Sequence, residues 1–277
     1  MNCVVKGALL LKSLKATLTT FSKIQVVGSR TCLNCGSSVP IVKNPKGEKI
    51  SDCLTCENKA LEKEMSAYKE AMDHQRDLDI IQQFERYSLI PEDLQSASFE
   101  NYLPDHNSKE DALKKCQWFA ENFDNLTGFH SLLLKGSYGL GKSHLSHSIA
   151  NYLKNLGKKI IFIDTPSLLR MIRQSYKDSS FSESDVYRLC AEADLLIMDD
   201  IGAEYVKQEN GKESWASEIL FQIITSRMDK PKVFTTNLSS KELSSKYGTH
   251  GGRIVSRMMK GTRLIEMEGK DYRTQAW

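Results

Sequence analysis

Gly136-Ser137-Tyr138-Gly139-Leu140-Gly141-Lys142-Ser143 spells a complete G-x-x-x-x-G-K-S. A loop of this kind handles polyphosphate. Its glycines let the backbone close on phosphate oxygens, and its N–H groups and the following helix N-terminus supply positive potential. Lys142 is placed to reach the β- and γ-phosphates, and the Ser143 hydroxyl to ligate Mg²⁺. His144 follows directly and is kept with the nucleotide-binding stretch, although by type it reads, like His147, as a helix residue. A second element, Leu195-Leu196-Ile197-Met198-Asp199-Asp200, ends an apolar run in two carboxylates. Asp199 is expected to hold Mg²⁺ through water and Asp200 to polarise the attacking water, with Glu204 as a second candidate for that role. Thr235-Thr236-Asn237 closes another apolar run, where Asn237 can sense a γ-phosphate or position water. Arg253 and Arg257 stand four apart on one helical face and can act as fingers on a neighbouring subunit's nucleotide.

A different chemistry is written nearer the N-terminus. Cys32, Cys35, Cys53 and Cys56 form C-x2-C, seventeen residues, then C-x2-C. Two residues between thiolates let one turn present both sulfurs to a tetrahedral ion, and two such turns make a closed four-cysteine zinc site. Four thiolates leave no open position, so the zinc is structural. Gly36 can take the positive φ that aims backbone N–H groups at sulfur. Ser38 to Lys43 reads as a short strand, Asn44-Pro45-Lys46-Gly47 as a turn and Lys49 to Ser51 as a return, together a small zinc ribbon.

The elements that must position these groups follow from periodicity. Expected strands are Ser131 to Lys135, Lys159 to Ile163, Leu195 to Asp199, Val233 to Thr236 and Arg263 to Met267. Amphipathic helices alternate with them, the pattern of a parallel sheet covered on both faces. Leu145, Ile149, Leu153 and Leu156 mark one such helix, and Ile219, Ile223 and Ile224 another. Ser239-Ser240-Lys241-Glu242 is a capping box that opens a third. A helix from about Lys109 to Asn122 should bury Leu113, Cys116, Trp118 or Phe119, and Ala120. From Glu57 to about Tyr87 there is no Gly or Pro, and Leu61, Met65, Tyr68 and Met72 fall at helical spacing. This is a connecting helix, read either as a partner-binding lever or as a solvated linker. Leu11, Leu14, Leu18 and Phe21 outline an apolar face at the start of the chain.

Composition bounds the function. The 277 residues carry 38 Lys plus Arg against 35 Asp plus Glu, a balance that excludes disorder and fibrous repeats. Nine basic and three acidic residues in the first 60 give +6, which leaves −3 for the remainder of a chain of net charge +3. A basic module therefore precedes a nearly neutral one. No run approaches the roughly 18 apolar residues of a bilayer span. No signal peptide is read, and the expected location is cytoplasmic.

Taken together, G-S-Y-G-L-G-K-S-H-L, L-L-I-M-D-D-I-G-A-E, T-T-N-L-S, G-R-I-V-S-R-M and G-K-D-Y-R closely resemble the DnaC/DnaI family of AAA+ replicative helicase loaders. The resemblance covers about residues 97 to 277. The zinc module and helical linker ahead of it look like the DnaI branch. The expected fold is α/β: an AAA+ P-loop ATPase domain with a five-stranded parallel sheet, preceded by a zinc ribbon and a helix. The expected divisions are residues 1–60, a zinc-binding and helicase-interaction domain, 61–96, a linker, and 97–277, the ATPase.

What the resemblance implies is a loader that uses ATP and Mg²⁺ to place a hexameric DnaB-type helicase on single-stranded DNA, assembling with ATP or on the helicase. It assigns Lys142 and Ser143 to ATP, Asp199 to Mg²⁺, Asn237 to sensor 1 and Arg257 to the finger, with Arg253 as the alternative. Arg273 stands in for a missing lid's nucleotide sensor. Arg170, Arg173, Tyr176 and Lys177 lie where such loaders carry a DNA-binding insertion, and would suit a backbone-tracking groove with a stacking ring. The rivals are an IstB-like transposition ATPase, with DNA and a transposase as partners, and a P-loop small-molecule kinase.

Overall fold

The computed structural model describes residues 25–44, 46–88, 90–177, 181–206 and 214–274. Pro45 and the apolar face of Leu9 to Phe21 lie outside the described residues. The chain divides into two compact units between Gln75 and Arg76.

In the first unit, β1 (Gln25–Thr31), β2 (Ser38–Lys43) and β3 (Lys49–Ile50) form an antiparallel sheet in that order. β1 is an addition to the expected ribbon. All seven of its residues are exposed, so no inside–outside alternation marks it in the sequence. Gly36 takes φ +72° and its N–H donates to the Cys32 carbonyl at 2.9 Å, closing the first cysteine turn. Helix α1 (Leu54–Ser88) starts inside the second cysteine pair, as the Cys56 and Glu57 N–H groups bond to the Cys53 carbonyl.

The far end of α1 belongs to the second unit. Ile80, Phe84 and Ser88 repeat every four residues and are buried. Phe84 alone, 1% exposed, contributes about 2–3 kcal/mol by area. Arg76 pairs with Asp185 at 2.7 Å, Glu85 with Lys154 at 2.7 Å, and Asp77 with Arg188, which holds the Asp77 carboxyl below its ordinary range. Residues 76–88, expected as linker, are thus part of the second unit.

That unit is built on β4 (Ser131–Gly136), β5 (Ile160–Asp164), β6 (Leu195–Asp199), β7 (Lys232–Thr236) and β8 (Thr262–Met267), all parallel, in the order β5-β6-β7-β4-β8. Alternate strand residues face opposite ways. Leu132, Leu134, Phe162, Ile197 and Val233 pack with a short helix α2 (Glu92–Gln95) nearby, α3 (Asn107–Glu121) and α4 (Lys142–Asn155) on one face. Leu133, Ile161, Ile163, Leu196, Met198 and Phe234 pack on the other with α5 (Thr165–Ser175), α6 (Glu183–Glu192), α7 (Trp215–Ser226), α8 (Ser240–Lys246) and α9 (Gly251–Met259). The capping box at Ser239 and Glu242 forms as expected. Of the two rings expected on α3, Phe119 is the buried one, and one side chain differs from expectation: Leu156 lies beyond the end of α4, 61% exposed. The order has one functional consequence: β7 separates the P-loop strand β4 from the acid strand β6.

Candidate functional site

The P-loop turns from β4 into α4 with Gly139 at φ +67° and Gly141 at φ +82°. Both glycines are required twice over. A Cβ on Gly139 would fall 1.6 Å from Asp271 Oδ1, and one on Gly141 would fall 2.4 Å from the Tyr102 ring. Gly141 caps α4 without any side-chain acceptor, so the first N–H groups of the helix face the loop. Lys142 is 5% exposed, and its ammonium donates to the Gly136 carbonyl at 3.0 Å, the Ser137 carbonyl at 2.6 Å and Asn237 Oδ1 at 2.7 Å. Burial pulls its pKa down, against the charges of Asp200 and Asp199. Because β7 lies between β4 and β6, Asn237 just past its end stands between the lysine and the acids.

Asp199 is buried at the end of β6. Burial, then the neighbouring Asp200 charge, raises its pKa to about 6, opposed by hydrogen bonds from Thr235 and Ser143. A buried carboxylate held beside a serine hydroxyl is a donor set that a hard divalent cation satisfies, so Ser143 and Asp199 fit Mg²⁺. Thr235 does more than end a strand. Its hydroxyl donates to Asp199 Oδ1 and accepts the Asp200 N–H at 2.8 Å. Asp200 adopts φ +50°, alone among the described non-glycine residues, and turns into the cavity.

That cavity, 290 Å³, is lined by Ser143, His144, Asp200, Asn237 and loop residues Tyr138 to Lys142. Gly136 and Ser137 contribute their carbonyls to Lys142 instead. His144 borders the cavity while its Nε2 lies 3.0 Å from the Ser98 carbonyl, and His147 is turned away, its ring centroid 4.6 Å from that of Phe162. Sequence reasoning missed the wall contributed by Leu94, Asn101, Tyr102 and Leu103. No motif marks it. Tyr102 Oη donates to the Leu140 carbonyl at 2.8 Å, bracing the loop from outside.

The C-terminal segment closes another side. Tyr272 N–H donates to the Gly139 carbonyl at 3.0 Å, Lys109 Nζ to the Lys270 carbonyl at 2.9 Å, and Arg273 reaches the cavity.

Three expected groups stand elsewhere. Glu204 is neither an exposed loop acid nor a cavity residue: it is 2% exposed, accepts the Gly202 N–H at 3.0 Å and faces Tyr247. The turn made by Gly202, at φ +97°, points it into the core. Arg253 and Arg257 lie on α9 and do not line this chain's cavity. Arg253 is exposed, while the Arg257 guanidinium sits 4.0 Å from the Phe221 ring centroid with Nη1 buried and unpaired.

The candidate DNA surface also changes membership. Arg170 is tied to the Tyr87 carbonyl at 3.0 Å and Ser167 Oγ at 2.7 Å. Arg173 instead stacks on Trp215, 4.6 Å from its ring, and Trp215 Nε1 donates to Tyr176 Oη at 3.3 Å. Lys177 is exposed beside them.

In the first unit the sulfurs of Cys32, Cys35, Cys53 and Cys56 all lie within 4.8 Å of one another. The Cys32–Cys56 and Cys35–Cys53 separations are 3.7 and 3.5 Å. Tetrahedral zinc with bonds of about 2.3 Å requires sulfurs roughly 3.8 Å apart, so the four fit the ion. The cluster is electrostatically divided: hydrogen bonds from Ser37 pull Cys35 down to about 6, while neighbouring sulfurs push Cys56 up to about 12. A divalent cation allows all four to be thiolates.

Comparison with known proteins agrees with this geometry. Replicative helicase loader DnaC of Escherichia coli (strain K12) is 28% identical over 170 residues, 61% of this chain and 66% of that protein. Replicative helicase loader DnaI of Bacillus subtilis (strain 168) is 26% identical over 180 residues, 64% of this chain and 55% of that one. The matched stretch therefore spans less than two thirds of either loader. Among solved structures, DnaI superposes with a TM-score of 0.54 at 22% identity, covering 66% of this chain and 94% of that chain. The DnaC helicase loader gives 0.52 at 22%, covering 64% and 100%. AMPPCP-bound DnaA from Aquifex aeolicus gives 0.52 at 20%, covering 64% and 52%. These likenesses establish an AAA+ P-loop fold. The family of IstB-like ATP binding proteins matches residues 61–277, through the entire parallel sheet and its loops, and the chain belongs to that family.

Proposed function

We propose that this protein is an ATP-dependent loader that binds a hexameric DnaB-type replicative helicase and places it on single-stranded DNA. The observation that carries the reading is the sequence relation to two replicative helicase loaders across a site whose lysine, acids and asparagine converge. The zinc module ahead of the ATPase is the candidate helicase grip. Bound Mg²⁺ would neutralise phosphate charge; the other contributions come from the chain itself. Lys142 exchanges its carbonyl partners for phosphate oxygens, Asp200 accepts a proton from the attacking water, and Asn237 orients that water. Arg273 closes the cavity over the nucleotide, and Arg257 or Arg253 completes the site of a neighbouring copy. The Arg173–Trp215–Tyr176 cluster with Lys177 offers a stacking platform and phosphate charge for single-stranded DNA.

The family match supports one second reading, an IstB-like transposition ATPase acting on DNA with a transposase. A P-loop kinase requires neither the distal arginines, nor paired acids on their own strand, nor an asparagine at the end of the strand between loop and acids. Native mass spectrometry of the protein with its host's hexameric helicase, ATP and Mg²⁺ separates the two readings. The loader forms a complex that residues 76–277, the second unit alone, do not. Absence of a complex with the full chain turns the assignment to the transposition partner.

A further inference from the structure

Residues 57–76 of α1 are exposed on every side, a helical span of about 30 Å. Most helical stability in proteins comes from packing an apolar face, and this span has few internal pairs beyond Ser66 to Glu70. Yet one stripe of it is apolar: Leu61, Met65, Tyr68 and Met72 are 55%, 71%, 70% and 53% exposed. Their spacing of four, three, four is the d-a-d-a phase of a heptad, with Glu57 and Glu64 at g and Glu62 and Lys69 at e. A seam of this phase is completed by a helix of the same phase, and a second copy of this chain supplies one.

Charge selects the direction. In a parallel pair the attraction of Glu64 at g for the partner's Lys69 at e is offset by the repulsion of Glu57 at g from the partner's Glu62 at e, and the basic residues Arg30, Lys43, Lys46 and Lys49 of both zinc modules come to the same end. In an antiparallel pair that sets Leu61 against the partner's Met72 and Met65 against the partner's Tyr68, e faces e. Glu62 then meets the partner's Lys69, twice by symmetry. We infer that α1 forms an antiparallel two-helix interface between two copies of this chain, independent of nucleotide and of the function proposed above.

Sedimentation velocity on the full-length, zinc-loaded, nucleotide-free protein tests this, at concentrations up to about 100 μM. The expected result is a reversible dimer that Met65→Glu with Tyr68→Glu converts to monomer. The charge variants fix the geometry and sit on exposed positions that do not threaten folding. Glu62→Lys is expected to weaken dimerisation about three- to tenfold, Lys69→Glu likewise, and the double swap to restore it. A protein that stays monomeric throughout overturns the inference, as it would if this face served a different protein. A dimer indifferent to the seam variants, or one that Glu62→Lys strengthens as parallel packing requires, also overturns it.

Discussion

Thr235 shows how much one hydroxyl can organise. It is fully buried, and its oxygen holds both acids at once, one through the carboxylate and the other through the backbone N–H. The second bond matters because φ +50° is a conformation that costs a side-chain-bearing residue about 1–2 kcal/mol. Thr235→Val keeps the shape and removes the hydroxyl. We expect it to lower the ATP turnover number about 10- to 100-fold while leaving nucleotide affinity nearly unchanged, with Thr235→Ser retaining most activity. Phosphate release and nucleotide titration, measured side by side, check this; equal loss of turnover in the serine variant would assign the effect to packing. A second residue sets a pH response. His147 is buried with neither ring nitrogen hydrogen-bonded, and burial, then the Lys154 charge, pulls it from 6.5 to about 4. Between those values the unfolded chain binds the proton and the folded one does not, so stability rises with pH across this window and is lost in acid. His147→Phe should flatten the dependence of melting temperature on pH between 4 and 6.5. An unchanged slope would show that other groups dominate it.

At the level of elements, the zinc module is the part whose existence depends on something beyond burial. Its buried apolar set is Val39 with Cys32 and Cys53, too small to hold three strands by itself. We expect about one zinc per chain by elemental analysis. Chelation or Cys53→Ser should release the fold of residues 25–53, seen as exchange-labile amides there, while the ATPase unit keeps its protection. A metal-free module with unchanged exchange would refute a structural ion. These cysteines were legible because a metal constrains residue type and spacing together. The parallel strands were legible for a related reason: buried on both faces, they read as continuous runs such as Leu195-Leu196-Ile197-Met198. β1 was not, since an exposed ribbon strand carries no hydrophobic alternation. Nor was the cavity wall around Tyr102, where residues before the sheet meet a loop 38 positions later through packing and one hydroxyl. The P-loop and the acids announced themselves, whereas Thr235 was visible only as a letter beside Asn237. Its two bonds depend on the sheet order, which periodicity does not encode. Glu204 was misplaced because the turn at Gly202 decides which way it points, and a turn's direction is not written in residue type.

For the molecule as a whole, the positive groups that line the cavity among the described residues are Lys109, Lys142 and Arg273. Lys142 is held by the Gly136 and Ser137 carbonyls and Asn237, and Arg273 lines the cavity, while both α9 arginines lie outside it. On the function proposed above, hydrolysis is expected to depend on assembly. Arg257 rests on the Phe221 face, a cation–π contact worth about 0.5–2 kcal/mol, with one guanidinium nitrogen buried and unpaired. Moving it to a neighbour's phosphate gives up a modest contact and satisfies that nitrogen, whereas exposed Arg253 reaches a neighbour without leaving any such contact. Turnover per chain should therefore climb with protein concentration as neighbours meet. Arg257→Ala should remove that climb and lower the plateau about 10³-fold or more, with nucleotide affinity of the single chain unchanged. Arg253→Ala run beside it identifies which of the two crosses the interface. Turnover per chain independent of concentration in the unmodified protein would mean that one chain holds a complete site, and the search for its stabilising positive charge would return to Arg273.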